Sequence, residues 1–214
     1  VIVGMTDPFN SERAIPWPAG TGMQALSGGG GYWAQAASAN GSVIVGYGTF
    51  GGIRWTAATG AVTISLDLPY SVSADGSVIV GREDLPPNWN AQVWTSQCGG
   101  RSIANMLKDA GVPGVGAWQL VHAYDIADDN RTIVGVGIAP GSKSPGFGLW
   151  DGFIARLPRK GDLDFDGDVD TQDLLKIISS WGPCAPGTCT LRDVNCDGFV
   201  NTSDLIAVIE NWDS

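Results

Sequence analysis

The sequence is short of positive charge, of histidine and of long apolar runs, and each shortage excludes a class of protein. Lysine and arginine number 12 against 22 acids, so there is no basic face to displace counterions from a nucleic-acid backbone. Nucleic acid is not expected as a partner. The single histidine, His122, has no second imidazole with which to build a zinc site, and no nucleophile or base can be placed beside it. It reads as a structural residue on a strand, and no catalytic residue is assigned. No apolar run reaches the ~18 residues that cross a bilayer as a helix, so no membrane span is expected. The chain begins at Val1 without a methionine or a signal peptide, which reads as a removed leader or a piece of a longer protein.

What is present points to short strands and to a cation. Glycine (31) and tryptophan (9) are abundant and only 16% of residues are charged, a mixture that suits strands and tight turns better than a helical bundle. The net charge of −10 is unevenly placed. From Lys160 onward there are eleven acids and three bases, or −8, which leaves −2 for residues 1–159. A cation is the natural ligand of such a tail. The four cysteines, Cys98, Cys184, Cys189 and Cys196, favour disulfides in an oxidising compartment over zinc, because no C-x2-C pair occurs.

Residues 1–158 repeat. Ser38-Ala-Asn-Gly-Ser-Val-Ile-Val-Gly46, Ser73-Ala-Asp-Gly-Ser-Val-Ile-Val-Gly81 and Ala127-Asp-Asp-Asn-Arg-Thr-Ile-Val-Gly135 read alike, and Val1-Ile-Val-Gly4 matches their end. The successive glycines are 42, 35 and 54 residues apart, around the length of a propeller blade. Asn-Gly and Asp-Gly supply the positive φ of a tight turn. The Val-Ile-Val run is apolar on both faces and reads as a strand buried between sheets. The glycine is expected to end that strand, and Trp17, Trp55, Trp94 and Trp150 to close the next one. The fold expected is mainly β: a β-propeller-like array of about four repeat units over 1–158, with a small C-terminal α domain over 159–214. Within the array, Ser102–Gly111 has helical spacing and a glycine stop. Asp128 and Asp129 occupy a turn position, where turn chemistry explains them without a metal.

The repeat resembles the HAF-type extracellular repeat of bacterial surface and secreted proteins, on the pattern Ser-Ala-Asp-Gly-Ser-Val-Ile-Val-Gly followed by Arg-Trp. That resemblance implies secretion and a propeller-like fold, and no reaction.

The tail duplicates itself at an offset of 31. Asp162, Asp164, Asp166, Gly167, Asp170 and Asp173 recur as Asp193, Asn195, Asp197, Gly198, Asn201 and Asp204. Leu174, Leu175, Ile177, Ile178 and Trp181 recur as Leu205, Ile206, Val208, Ile209 and Trp212. Each loop carries oxygen side chains at positions 1, 3, 5, 9 and 12 and glycine at 6, the spacing that wraps hard oxygens around calcium. Two calcium sites are expected, with loop 1 the tighter because it holds more carboxylates. The apolar helix positions read as one stripe through which the two helices pack together.

This tail resembles a dockerin, which implies metal roles for Asp162, Asp164, Asp166, Asp168 through its carbonyl, Asp170 and Asp173. It implies the same for Asp193, Asn195, Asp197, Phe199 through its carbonyl, Asn201 and Asp204. Positions 10 and 11 contact a cohesin partner in that family; here they are Thr171-Gln172 and Thr202-Ser203, departing from the common Ser-Thr pair. The function expected is a non-enzymatic extracellular or cell-surface binding or scaffold protein, attached through its calcium-loaded tail to a cohesin-like domain. A homopolymer joined to further copies by strand sharing or tail docking is the alternative, and the non-catalytic end of a secreted hydrolase is a third.

Overall fold

The structure, a computed structural model, describes residues 2–5, 14–17, 32–83, 89–142, 150–184 and 191–213. The chain divides into two compact units, Val1–Ile103 with Trp118–Ala155, and Ala104–Ala117 with Arg156–Ser214.

The first unit is mainly β, in separate small sheets. β1 (Ile2–Met5) pairs with β2 (Ala14–Trp17). β3 (Tyr32–Ala37), β4 (Val43–Gly48), β5 (Gly51–Thr56) and β6 (Gly60–Thr63) form a second sheet in chain order. β7 (Leu68–Val72), β8 (Val78–Glu83), β9 (Asn90–Thr95) and β10 (Gly99–Ser102) form a third. β11 (Gln119–Ile126), β12 (Thr132–Ile138) and β13 (Asp151–Arg156) form a fourth, of three strands. Pairing is antiparallel wherever the register is described.

The repeat is structural as well as textual. Trp17, Trp55 and Trp94 lie opposite Ile2, Ile44 and Ile79. Trp150 departs from the expectation: it precedes β13 and is exposed. The turns before β4 and β8 are built by one set of bonds. In the second sheet Asn40 Oδ1 accepts from Ser38 Oγ and from the Ser42 N–H, and Ser38 Oγ accepts from the Val43 N–H. Asp75 and Ser73 do the same in the third. Gly41 (φ 70°), Gly76 (φ 79°) and Asn130 (φ 58°) supply the left-handed residue, which asparagine tolerates better than other side chains. The turns also meet each other: the Ala39 N–H donates to the Ala74 carbonyl (3.0 Å), and Asn130 Nδ2 to Asp75 Oδ2 (2.8 Å). Burial raises the Asp75 pKa, but the Ser77 N–H, the Ser73 and Ser77 hydroxyls and the Asn130 amide outweigh it and hold the carboxyl at about 2.

The repeat glycine does not end its strand. β4, β8 and β12 run on past Gly46, Gly81 and Gly135. β3, β7 and β11 bulge by one residue at Gln35, Tyr70 and Tyr124, just after the partner of that glycine. A Cβ on Gly46, Gly81 or Gly135 would fall onto the carbonyl oxygen of Trp33, Leu68 or His122. Glycine is required there because backbone occupies the side-chain space. Between the second and third sheets, Val43 and Val45 pack on Leu66, Val72 and Ile79, with Ala36, Ile64 and Trp94 at the rim. β11 in turn packs on β7, β8 and β9.

Beyond β10, α1 (Ile103–Asp109) buries Ile103, Met106 and Leu107 and ends as expected at a glycine. Gly111 (φ 81°) donates to the Lys108 carbonyl and Val112 to that of Leu107, the paired bonds of a Schellman stop. The second unit also contains α2 (Thr171–Ile178), β14 (Gly182–Pro183), β15 (Phe199–Val200) and α3 (Thr202–Ile209). Its halves exchange their ends. Gly182, after α2, pairs with Val200 of the second loop, and the Asp213 N–H, after α3, donates to the Val169 carbonyl of the first. The two pairs are the same positions at the offset of 31, Gly182 matching Asp213 and Val169 matching Val200. Leu163, Val169, Ile177, Val200 and Val208 form the core.

Gly81→Ala is expected to lose about 1–3 kcal/mol in urea denaturation, because the new methyl meets backbone that cannot rotate away. Gly152→Ala, with nothing within 4 Å of its added carbon, is the control and should change stability little.

Candidate metal centre

The acidic loops are shaped by the helices that follow them. Asp170 caps α2, its Oδ1 accepting from the Gln172 N–H (2.7 Å), while Asp173 Oδ2 accepts from the Asp170 N–H (2.9 Å). This reciprocal box satisfies donors that a helix start leaves open. The other oxygen of Asp173 accepts from the Leu163 N–H (2.6 Å), which ties the end of the loop to its beginning. Asn201 and Asp204 repeat the arrangement at α3, with Asp204 Oδ1 accepting from Val194 and Asn195. Phe165 (φ 64°) and Gly167 (φ 102°) make the turn in loop 1, and Cys196 (φ 56°) and Gly198 (φ 91°) make it in loop 2. The second loop is thus the first repeated at an offset of 31, backbone included.

In loop 1 the curl brings three carboxylates together. One oxygen from each of Asp162, Asp164 and Asp166 lies within 4.8 Å of the others. Asp162 is buried, Asp164 half-buried and Asp166 exposed. Burial pushes the Asp162 pKa up; the Phe165 N–H opposes it, and the carboxylates of Asp173, Asp166 and Asp164 add to it. Asp164 is raised likewise by burial and then by Asp173 and Asp166, with Lys176 acting in the opposite direction. Asp164 Oδ1 is buried and has no hydrogen-bond partner. Crowded carboxylates with an orphaned oxygen fit a hard divalent cation, which supplies the missing charge and the missing partner. Asp168 is exposed, and its N–H donates to Asp166 Oδ1 (3.0 Å).

Loop 2 holds its oxygens differently. Asp193 is buried and accepts from the Asp197 and Gly198 N–H groups, with the Cys184 sulfur 3.5 Å from its Oδ2. Asn195 Nδ2 donates to Asp197 Oδ2 (3.0 Å), and Asn201 Nδ2 reaches the same oxygen at 3.4 Å. Hydrogen bonds to the Asn195 amide, the Phe199 N–H and the Asn201 amide hold the Asp197 pKa below the ordinary carboxylate range. Amides of loop 2 thus donate hydrogen bonds from positions that carry carboxylates in loop 1. Phe199 lies in β15 with its side chain exposed.

No model of a known protein family matches this chain, and no curated protein matches it. Among solved structures, one assigned to TolB of Agrobacterium tumefaciens superposes with a TM-score of 0.43 at 12% identity, over 63% of this chain and 48% of that one. The chain therefore spans about half the length of that protein, and a likeness so distant carries no argument.

The remaining candidates are distributed as follows. Thr171, Gln172, Thr202 and Ser203 are exposed first-turn residues of α2 and α3. The helix stripe departs from the expectation. Ile177 and Val208 enter the core with Leu174 and Leu205 against it, while Leu175, Ile178 and Trp181, and equally Ile206, Ile209 and Trp212, are exposed. Sequence reading missed a clamp: Arg159 bonds both oxygens of Asp213 (2.8 and 2.7 Å) and the Gly167 carbonyl, and Asp213 also accepts from the Val169 N–H. Nothing could signal it, because Asp213 repeats Gly182 and has no acidic counterpart.

His122 is buried. Its Nε2 faces Arg82 Nη1 (3.4 Å) and its Nδ1 the Tyr70 hydroxyl (3.3 Å). Arginine only donates, so in that contact the Nε2 of His122 is the acceptor. Asp129 accepts from the Arg131 and Thr132 N–H groups, which is turn chemistry. Cys98 is disulfide-bonded and so is Cys196, while Cys189 lies outside the described residues.

The raised Asp162 and Asp164 give a signed pH dependence. Without metal, the folded chain holds their protons more tightly than the unfolded chain. Their stabilising contribution is therefore complete below the unfolded pKa of about 4 and is lost as pH rises through the raised folded values. In chelator the melting temperature is expected to fall over that interval, and Asp164→Asn should flatten the fall. Thermal scans across pH check both.

Proposed function

We propose that this chain is a non-enzymatic extracellular binding or scaffold protein, propeller-like in its first unit, whose dockerin-like tail takes two calcium ions and attaches it to another protein. The reading rests on the convergence of Asp162, Asp164 and Asp166 around a buried, unpartnered oxygen. Asp170 and Asp173 would complete the first set and Asp168 would add its carbonyl. Asp193, Asn195, Asp197, Asn201, Asp204 and the Phe199 carbonyl would make the second. Calcium bound there supplies positive charge that relieves the crowding of the acids. The chain's own residues do the rest: Asp173 and Asp204 tie each loop to the start of its helix, so ordering a loop also orients that helix.

Attachment is supported by what those helices present. Leu175, Ile178 and Trp181 on or just after α2 are exposed, and so are their counterparts Ile206, Ile209 and Trp212. Repeated exposed apolar rows of this kind mark interaction surfaces more often than accidents of composition. They adjoin Thr171, Gln172, Thr202 and Ser203, so a cohesin-like domain is the partner favoured. The disulfide-bonded Cys98 and Cys196 support an extracellular location.

Calorimetric titration of the full chain is expected to resolve two calcium sites, the tighter one weakened by on the order of tenfold or more in Asp162→Asn and the weaker one in Asp193→Asn. Equal loss of one and the same site in both variants would count against the assignment. No calcium-dependent rise in melting temperature would sink it. In the double variant Leu175→Lys/Ile206→Lys, calcium binding should persist while capture of a purified cohesin-like domain is lost.

A further inference from the structure

The stacked sheets follow a rule that breaks at the last one. Successive residues of a strand point to opposite faces. Ile44, Ile79 and Ile133 form one set, each 0% exposed. Val45, Val80 and Val134 form the other, facing the opposite way. Val45 is 0% exposed because Val72 and Ile79 of the following sheet cover it. Val80 is 0% exposed, and β11 of the following sheet packs on its strand. Val134 is 42% exposed.

The neighbouring strand agrees. Val93, opposite Val80 on β9, is 1% exposed. Its counterpart on β13 is Ile154, the residue after Phe153, whose ring lies against Gly135 where Gln92 pairs with Gly81. Ile154 is 77% exposed. An isoleucine and a valine thus stand in water at positions that are dry in the preceding sheet.

We propose that this open face of the β11–β12–β13 sheet is an assembly surface, and that its occupant is the β1–β2 sheet of a second copy of this chain. Inside the chain, this face of a repeat sheet is covered by the sheet of the next repeat, so the surface is shaped for another sheet of the same kind. β1 and β2 are such a sheet: Ile2, Val3 and Gly4 lie opposite Trp17, Pro16 and Ile15, the register of Ile44, Val45 and Gly46 against Trp55, Arg54 and Ile53. β1 already packs on β3, as each sheet packs on its successor. The contact continues the packing within the chain across two chains. It joins two different faces, so it is head-to-tail and either closes into a ring of two or more copies or propagates as a fibre.

The contact owes nothing to the calcium loops, and the test separates the two. The full-length protein is examined by light scattering over a wide concentration range, with calcium and with chelator, and by electron microscopy. Mass is expected to grow in whole multiples of the chain in both conditions and to give rings or fibres. Val134→Lys and Ile154→Lys, both at exposed positions that leave the fold intact by circular dichroism, should each raise the concentration for half-assembly at least tenfold. Leu175→Lys/Ile206→Lys should leave assembly unchanged. A monomer at every concentration, assembly that vanishes in chelator, or unaltered assembly in the Val134 and Ile154 variants overturns the proposal.

Discussion

Each repeat of the β unit turns on one close approach, between a backbone carbonyl of its first strand and the Cα of a glycine in its second. The oxygens of Trp33, Leu68 and His122 occupy the space where a side chain on Gly46, Gly81 or Gly135 would be. That approach goes with a bulge in the first strand, and the bulge sets which residues point inward. The inward and outward valines and isoleucines of the central strand then find the neighbouring sheets on either side. The turn before each central strand starts that strand in the same register every time, because its side-chain hydrogen bonds are made within five residues. Stacking of the sheets, bridged by turn contacts such as Asn130 to Asp75, follows from these local constraints.

The second unit is organised by charge and exchange. Its two halves are too short to be stable helices alone. Each supplies the residue that pairs with the other's loop, and Arg159 closes the ends by gripping Asp213 beneath the Gly167 carbonyl. The core made by Leu163, Val169, Ile177, Val200 and Val208 leaves Asp162 and Asp173 buried with like charges as neighbours. On the proposed reading, a cation bound in loop 1 would resolve that conflict. In loop 2, Asn195 and Asn201 soften it by donating to Asp197. The two loops share a backbone and differ in how far hydrogen bonds offset the crowding of their acids.

The recurring turns, the central strands and the glycine stop of α1 were legible because each depends on neighbours in the chain. The role of the repeat glycine was not. Its partner oxygen lies on a preceding strand, and from the text a glycine after three β-branched residues looks like a terminator. Trp150 misled in the opposite direction, since its distance from Gly135 suited the pattern while its place before β13 did not. The helix rows were legible as apolar positions, but their division into Ile177 inside and Ile178 outside required the packing partners.

By itself the sequence determined the repeat, its turn chemistry, the duplicated loops and their capping residues, all of which are set by spacings of a few residues and by the offset of 31. Tertiary structure decided the setting of the carboxylates that converge, Asp162, Asp164 and Asp166, in a loop whose start is tied to Asp173 through the Leu163 N–H. It decided the Arg159–Asp213 clamp, which joins residues 54 apart with no repeated counterpart. It also decided exposure: Val45, Val80 and Val134 stand in the same three-letter motif, and among the described residues a following sheet packs on the strands of the first two, which are buried, and none on that of the third, which is exposed.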